Sequence, residues 1–396
     1  MLSTLRGVAV LLVVWLLPPV ALAAPLSADA VVQHTLAHHP DAVAARAFVD
    51  VAAADRREAS VLLWNPDVEA TVGIRGSTEV KVAQPFSPSG EGYAARSTAT
   101  LERQTAELSE RRSRVMLAHD ARVAWVDAAT AILRTRLTDE VLTQAHHLRA
   151  AAEARAAQGE ASDLDVRLAR LDEAHALSTA LDARRDEAEA RTALAAFHPD
   201  ALTAELGDPL EGVPTPTQPS GERVDLTAAR RATDAARAAL AKARAAVVDP
   251  ISLGVALDVG DGAVDAHPYV AWTLPLWTRN QGGVARARAD LAVREAEVVQ
   301  IERVVTANQA TADQLARSAH ADLSRLSDID ADARAALAAI EAGVQSGELD
   351  VSTAALLRAE VLDGWTSGLD ARATTAKATL SQLLAHDDPA LFGGVE

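Results

Sequence analysis

The stretch Pro268–Leu291, PYVAWTLPLWTRNQGGVARARADL, joins two different hydrophobic periods. Apolar side chains recur at every second position from Val270 to Leu276, which is typical of a strand with one apolar face. After the Gly282–Gly283 pair, apolar residues recur at every seventh position, which is typical of a helix that supercoils along a partner. The stretch therefore predicts a sheet that leads directly into a very long helix.

This seven-residue repeat, called the seam below, continues far along the second half of the chain. Its members are Val284, Leu291, Val298, Val305, Ala312, Ala319, Leu326, Ala333 and Ile340. We expect Leu291, Val298, Val305 and Leu326 to be buried against neighbouring helices. Arg294, Asn308 and Asp322 are expected on a wetter flank of the same helix. The seam thus predicts one helix from Val284 to Ile340.

The first residues have the form of a secretory signal. Arg6 precedes an apolar run, Val8–Leu17, and Ala21–Ala23 has the small-x-small form of a cleavage site. The run is too short to cross a membrane, so we predict a signal peptide over 1–23. The chain has no cysteine, which excludes a disulfide framework and a lipid-modified cysteine. These features predict an exported protein.

Composition points to elongated helices. Hydrophobic residues make up 49% of the 396 residues but aromatic residues only 3%, so the apolar content is mostly alanine, leucine and valine. Such a composition suits helices in close contact better than a thick globular core. The formal net charge of −17 argues against a nucleic-acid partner, which requires a basic face.

The first half after the signal predicts helix, hairpin and a long helical pair. Ser27–Trp64 is expected to be helical in two pieces that separate at His39–Pro40, with Asp41 as the N-cap of the second piece. A β-hairpin is expected within 67–87, with strands at Val68–Ile74 and Val80–Gln84. A helix over Tyr93–Gln158 and a returning helix over Leu164–Phe197, capped by Ser162 or Asp163, should follow.

The second half repeats the landmarks of the first. Asn65–Pro66 recurs as Asp249–Pro250, 184 residues later, and Gly159–Glu160 recurs as Gly347–Glu348. Pro85–Phe86 recurs as Pro275–Leu276, 190 residues later, and we place the six additional residues in a turn at Gly260–His267. The predicted units are a first repeat, 24–198, a proline-rich linker, 199–224, and a second repeat, 225–396, with its hairpin at 251–277.

These features together resemble the TolC family of outer-membrane factors. The resemblance covers the whole chain after the signal. It is carried by the duplicated helix–hairpin–helix order, by Asn65–Pro66 before the first strand, by the segment 275–282 (PLWTRNQG) after the last strand, and by the Gly159 and Gly347 turns. The 275–282 segment is similar to that of members that work with cation-efflux pumps of the resistance-nodulation-division class. The chain departs from the family in its short strands and in lacking the lipidated cysteine that many members carry.

The resemblance implies a mainly α fold with a small β part. A homotrimer would share one twelve-stranded β-barrel in outer-membrane lipid, continued by a long α-helical barrel into the periplasm. It implies a passive exit duct of a tripartite efflux or type I secretion system, with a periplasmic adaptor protein and an inner-membrane pump as partners. A periplasmic structural or adaptor coiled-coil protein without a pore stays open as the alternative, because Val68–Ile74 is shorter than the about 9–11 residues that span a bilayer.

Two sets of candidate site residues follow. The alternation predicts lipid-facing strand residues Val68, Val72, Ile74, Leu253, Val255, Leu257, Val270 and Trp272, and lumen-facing residues Glu69, Thr71, Arg75, Lys81, Ser252 and Asp258. The resemblance implies a gate of acidic residues after the turn glycines, here Glu348 and Asp350 after Gly347, and Asp163 and Asp165 after Gly159. Helix N-capping is the alternative role for the same four residues.

No catalytic or cofactor motif occurs in the sequence, so we expect neither an enzyme nor a bound cofactor. The pairs His34 with His38 and His146 with His147 lack a third ligand at a fitting spacing, and we interpret them as surface histidines. The acidic run Asp328-x-Asp330-x-Asp332 spreads its carboxylates around a helix. We interpret that run as a solvated face, and we expect no metal site.

Overall fold

The computed structural model describes residues 25–61, 65–72, 78–217, 222–260, 263–273, 279–326 and 329–393. Within these ranges the helices are α1 Ala28–His38, α2 Pro40–Ser60, α3 Glu91–Ala157, α4 Asp163–Ala195, α5 Val224–Ala245, α6 Gln281–Arg325, α7 Ile329–Ser346 and α8 Val351–Ala385. The strands are β1 Asp67–Val72, β2 Thr78–Phe86, β3 Ile251–Gly260 and β4 Ala263–Ala271. The mainly α fold class with a small β part is confirmed. The predicted signal, 1–23, and Ile74 lie outside the described residues.

The first two helices separate where the sequence predicted, at His39 and Pro40, but the cap is a different residue. His39 is the N-cap of α2, and its Nδ1 accepts a hydrogen bond of 3.3 Å from the backbone N–H of Asp41. Pro40 occupies the first helical position, where its fixed φ and missing N–H suit a helix start. The prediction of Asp41 as the N-cap was therefore wrong, because the proline moves the boundary forward.

The four strands form one antiparallel sheet in the order β1-β2-β3-β4. β2 and β3 pair from Phe86 with Ile251 to Thr78 with Val259, which joins the two hairpins. The ladder between β3 and β4 continues to the pair Gly260 and Ala263.

The turn predicted at Gly260–His267 is therefore wrong, since residues 263–267 are strand residues. Val264 and Ala266 continue the alternation of Pro268 and Val270.

The helix α3 is a single element of 67 residues, and at 1.5 Å per residue it is roughly 100 Å long. It ends at Ala157, and in the turn that follows, Gly159 has a φ of +78°, in the left-handed region that favours glycine. The Glu160 N–H donates back to the Arg155 carbonyl at 2.9 Å across this turn. α4 then returns alongside α3, as predicted.

The seam is present, but the helix that carries it is interrupted. α6 ends at Arg325, and α7 starts at Ile329. The prediction of one continuous helix was wrong because the repeat keeps its phase across the interruption, so periodicity alone does not reveal the break. Leu326, the C-cap of α6, still lies on the seam.

Burial along the seam follows the repeat. The members that are buried are Val305, Ala312, Ala319, Ala333 and Ile340. The other members, Val284, Leu291, Val298 and Leu326, are half-buried within one chain, whereas Arg294, Asn308 and Asp322 are exposed. The predicted wetter flank is confirmed. Of the four seam residues predicted to be buried, Val305 is buried in the single chain.

The main core lies where α1, α3 and α8 meet. Trp125 is 2% exposed at its centre, and its indole N–H donates to the Leu26 carbonyl at 2.8 Å. The segment predicted as a linker forms two 3-10 turns, Pro199–Leu202 and Pro209–Gly212, which pack against this core. Among the described helices, none combines the length and hydrophobicity that crossing a bilayer requires.

A buried arginine ties this core to the end of the described chain. Arg122 is 1% exposed, and its Nε donates to the Leu391 carbonyl at 2.9 Å. Its Nη1 donates to the Gly212 carbonyl at 2.8 Å, and its Nη2 pairs with Asp29. Segments from both halves of the sequence therefore meet around one guanidinium group.

Candidate functional site

The sheet has one apolar face that is open to its surroundings. Paired residues of antiparallel strands share a face, and the pairs Val68 with Val82 and Val82 with Val255 set the register. The apolar face comprises Val68, Val72, Val80, Val82, Phe86, Leu253, Val255, Leu257, Val259, Val264, Val270 and, directly after β4, Trp272. Exposure reaches 76% at Val72. The seven predicted lipid-facing residues that the structure describes thus share one face, while their contact with lipid stays a prediction.

The opposite face of the sheet is polar. Its charged and hydroxyl-bearing residues are Asp67, Glu69, Thr71, Glu79, Lys81, Ser252, Asp258, Asp265, His267 and Tyr269. Lys81 Nζ lies 3.0 Å from Glu79 Oε2 and 5.7 Å from the ring centre of Tyr269. The five described residues predicted to face a lumen lie on this polar face, and Arg75 lies outside the described residues.

Three side chains of the polar face converge in a way that the sequence reasoning missed. Glu79, Asp258 and His267 come from β2, β3 and β4, and one ligand atom of each lies within 4.8 Å of the others. Only the strand register brings them together, since Glu79 lies directly opposite Asp258 while His267 is two positions away from the partner of Asp258. Pairing the predicted strands residue by residue would have identified these three side chains as neighbours.

The two turn glycines lie next to each other at the end of the long helices. Gly347 has a φ of +79°, matching Gly159. Arg155, in the last turn of α3, extends its Nη1 to within 3.5 Å of the Val344 carbonyl in α7. Its guanidinium would also lie 3.5 Å from a Cβ placed on Gly347. The structure therefore brings together the two turns that the sequence singled out, and we call this region the tip.

Two of the four predicted gate residues cap helices at the tip. Asp350 is the N-cap of α8, and Asp165 completes a capping box with Ser162 at the start of α4. Hydrogen bonds from the Ser352 hydroxyl and from Thr353 lower the pKa of Asp350 to about 2. Hydrogen bonds from the Ser162 backbone and hydroxyl lower the pKa of Asp165, and the charge of Asp350 opposes that shift. These two carboxylates are therefore ionised neighbours held in fixed positions.

The other two predicted gate residues are open to solvent. Asp163 is the first residue of α4, where the helix N-terminus favours a negative charge. Glu348 follows Gly347 and is exposed. The four acidic residues thus form a negatively charged end of the molecule, and their role in gating stays a prediction.

A buried ion pair, which the sequence patterns did not predict, lies behind the tip. Arg358 of α8 is 2% exposed and pairs with Asp172 of α4. Burial lowers the pKa of Arg358. Arg170 of the first half follows Gly159 by 11 residues, as Arg358 follows Gly347. Arg170 is exposed and donates to Glu153 at 3.0 Å. Both arginines therefore link two helices, Arg170 of α4 with α3 and Arg358 of α8 with α4, and Arg358 is the buried one of the two.

His34 makes more contacts with neighbouring residues than the sequence analysis predicted. His34 Nδ1 lies 2.9 Å from the Phe197 carbonyl, and its ring centre lies 4.6 Å from those of His38 and His198. Burial, assisted by the neighbouring His34, lowers the pKa of His198. His34 is half-buried, because α1 packs this side chain against the end of α4. His38 is exposed, as predicted.

The pair at His146 and His147 also has partners. His146 Nδ1 lies 2.8 Å from Glu173, and His147 Nδ1 lies 3.6 Å from Glu341. Both imidazoles are more than half exposed, so their position on the surface is as predicted.

The acidic run at the start of α7 is not wholly solvated. Asp330 accepts a hydrogen bond of 2.9 Å from Trp365 Nε1 and pairs with Arg372. Its carboxylate therefore joins α7 to α8, and the prediction of a solvated face was wrong for this residue. Asp332 is exposed, and Asp328 lies outside the described residues.

No protein-family model and no curated protein matches the chain. Solved structures do. The chain is similar to the CusC channel structure, with 17% identity and a TM-score of 0.73, over 91% of this chain and 92% of that one. It is also similar to the Vibrio cholerae outer-membrane protein VceC, with 20% identity and a TM-score of 0.71, over 91% and 96%. A third similar structure is the Campylobacter jejuni CmeC outer-membrane channel, with 11% identity and a TM-score of 0.75, over 93% of this chain and 86% of that one.

These likenesses cover nine-tenths of the chain at low identity, so they show its fold. The chain has the fold of known outer-membrane channels, as the sequence resemblance implied.

Proposed function

We propose that this chain is a TolC-family outer-membrane factor, a passive duct that leads substrates from an inner-membrane pump and a periplasmic adaptor to the outside. The observation that carries the proposal is the two-faced sheet at one end of α3, a helix roughly 100 Å long. An exposed apolar face of this extent requires lipid or protein cover. Neighbours with the same fold are outer-membrane channels.

The sheet also requires other copies of the chain. β1 and β4 are its edges, and lipid does not tolerate unpaired strand edges. In the order β1-β2-β3-β4, β4 of one copy can pair antiparallel with β1 of the next. Three copies would supply twelve strands and close a barrel, with the apolar face towards lipid and the polar face towards the lumen. A homotrimer is therefore part of the proposal.

Strand length favours the duct over a periplasmic coiled coil without a pore. β2 has 9 residues, β3 has 10 and β4 has 9, and a spanning strand needs about 9–11. The described part of β1 has 6 residues. Three of the four strands thus reach the required length, which the hairpin 67–87 by itself did not indicate.

The tip would face the pump and adaptor. In a trimer, Asp163, Asp165, Glu348 and Asp350 would form a ring of carboxylates at the far end of the helical barrel. Bound cations would offset the mutual repulsion in such a ring, so the ring favours cations in the passage and would loosen when its carboxylates are neutralised. This ring is the proposed gate.

Cysteine cross-linking tests the function directly, because the chain has no cysteine of its own. Double variants would carry Ala70→Cys on β1 with Ala266→Cys, Pro268→Cys or Val270→Cys on β4. In outer-membrane fractions, at least one pair should give oxidant-dependent trimers that disappear on reduction. Asn308→Cys, on the exposed flank of α6, serves as the control. Recovery of a soluble periplasmic monomer that no pair cross-links would reject the duct and favour the coiled-coil alternative.

A further inference from the structure

The polar face carries an unbalanced row of carboxylates. Asp258 lies directly opposite Glu79 on one side and Asp265 on the other. Like charges directly opposite each other on neighbouring strands destabilise a sheet. Lys81 is paired with Glu79 at 3.0 Å, and His267 Nδ1 lies 3.7 Å from Asp258 Oδ2. One lysine against three carboxylates leaves this row with excess negative charge.

The same place gathers a set of metal-ligand atoms. One carboxylate oxygen of Glu79, one of Asp258 and one imidazole nitrogen of His267 lie within 4.8 Å of one another. Three adjacent strands supply them, so the backbone ladder fixes their separations. Glu79 has two carboxylate oxygens, and Oε2 is the one that Lys81 contacts. Its other oxygen can serve a cation without breaking that ion pair.

We propose that Glu79, Asp258 and His267 form a binding site for a divalent transition-metal ion of the zinc class. An imidazole nitrogen selects zinc, nickel or copper over calcium and magnesium, which prefer oxygen ligands alone. Asp258 and His267 side chains are half exposed, so water completes the coordination of the ion. Three protein ligands and one water form an open site, from which the ion exchanges.

The site adds to the proposed function without depending on it. Its ligands come from one chain, so it requires neither a trimer nor a particular cargo. A bound cation would offset the repulsion between Glu79 and Asp258 and link β2, β3 and β4. The expected occupancy is therefore one ion per chain.

Zinc titration of the purified full chain in detergent, in competition with a chromogenic chelator, tests the site. Glu79→Gln, Asp258→Asn and His267→Ala should each weaken zinc binding by about tenfold or more. Asp265→Asn is the matched control, since it removes a carboxylate of the same row that is outside the ligand group. It should change the affinity by about threefold, as expected for one solvent-screened charge. Cobalt provides a second readout, as its visible absorption should shift in the parent protein and not in His267→Ala.

Two competing outcomes would overturn the proposal. Zinc affinity that is unchanged in His267→Ala but lost in His38→Ala would assign binding to the histidine group of α1 and the end of α4. Binding of calcium in preference to zinc, insensitive to His267→Ala, would indicate only a charged surface. Circular dichroism of each variant, with His267→Gln as a second substitution, verifies that loss of binding is not loss of folding.

Discussion

The carboxylate of Asp350 accepts a hydrogen bond of 2.7 Å from the backbone nitrogen of Thr353 and thereby caps α8 at the tip. A residue expected from family resemblance to act in a gate is thus also the residue that starts a helix. Both roles need a carboxylate or amide oxygen at this position, but only the gate needs a charge. Asparagine, which caps as well as aspartate, separates the two roles.

The first prediction concerns pH. The pKa of Asp350 is about 2 in the folded chain, below its ordinary 3.8, because its ionised form accepts hydrogen bonds. Its stabilisation is therefore complete above about pH 4 and is lost as the pH falls towards 2. Hydrogen exchange at the start of α8 should accelerate between pH 4 and pH 2.5, relative to the intrinsic rate. Asp350→Asn should lack this acceleration, and equal pH dependence in both proteins would contradict the cap.

The second prediction concerns conduction. Glu348→Gln with Asp350→Asn should raise single-channel conductance in lipid bilayers and weaken block by divalent cations, because the ring loses the charge that holds these cations in the passage while the cap survives. Asp163→Asn with Asp165→Asn is the next pair to measure. Asp332→Asn, an exposed carboxylate of α7, is the control and should leave both quantities unchanged. If neither pair alters conductance or block, the four residues are helix caps and surface charges only.

The third prediction tests the two faces of the sheet. Val255→Arg or Val270→Arg should block assembly in the outer membrane, since a lipid-facing arginine near mid-bilayer costs about 2–4 kcal/mol. Ser252→Arg should be tolerated, because Ser252 pairs with Ala271 on the polar face. Trimer yield in membrane fractions measures all three. Equal yields would defeat the assignment of the faces.

The fourth prediction concerns the seam and its partner helices. Leu337→Ala, in α7 between the seam residues Ala333 and Ile340, should lower the free energy of unfolding by about 2–5 kcal/mol, because Leu337 is 1% exposed and packs with Trp365. Leu326→Ala and Val298→Ala should have smaller effects in the single chain, where both residues are half-buried. Denaturant unfolding measures these changes. Asn308→Ala is the control, and a loss there as large as at Leu337 would mean that the seam is misassigned.

The sequence predicted those parts of the fold that repeat locally. Alternation located the strands, the seven-residue period located the long helices, and glycines located the turns at 159 and 347. The interruption after Arg325 was not predicted because Leu326 and Ala333 keep the phase of the seven-residue repeat across it. The cap at His39 was not predicted because the ring of Pro40 fixes φ and sets the start of the helix. A search for aspartate or serine caps does not consider this effect.

The site residues divide in the same way. The faces of the strands follow from a period of two, so the sequence alone assigned Val255 and Ser252 to opposite faces of the sheet. The convergence of Glu79, Asp258 and His267 depends on which residues of three strands stand opposite each other, and no single strand carries that information. The Arg358 pair with Asp172 likewise joins helices that are remote in sequence. Sequence patterns therefore predicted the helices and strands but not the contacts between them.

The hydrogen bond from Arg122 to Leu391 has a consequence for the time course of folding. The two residues are 269 positions apart, and Asp29 and Gly212 contact the same guanidinium. Loop-closure entropy makes such remote contacts late events. If the chain is exported from its first residue onward, the guanidinium stays solvated until the last segment emerges. The main core would then form only after translocation is complete. Until then the emerging helices would lack the contacts that the Arg122 guanidinium makes with Asp29, Gly212 and Leu391.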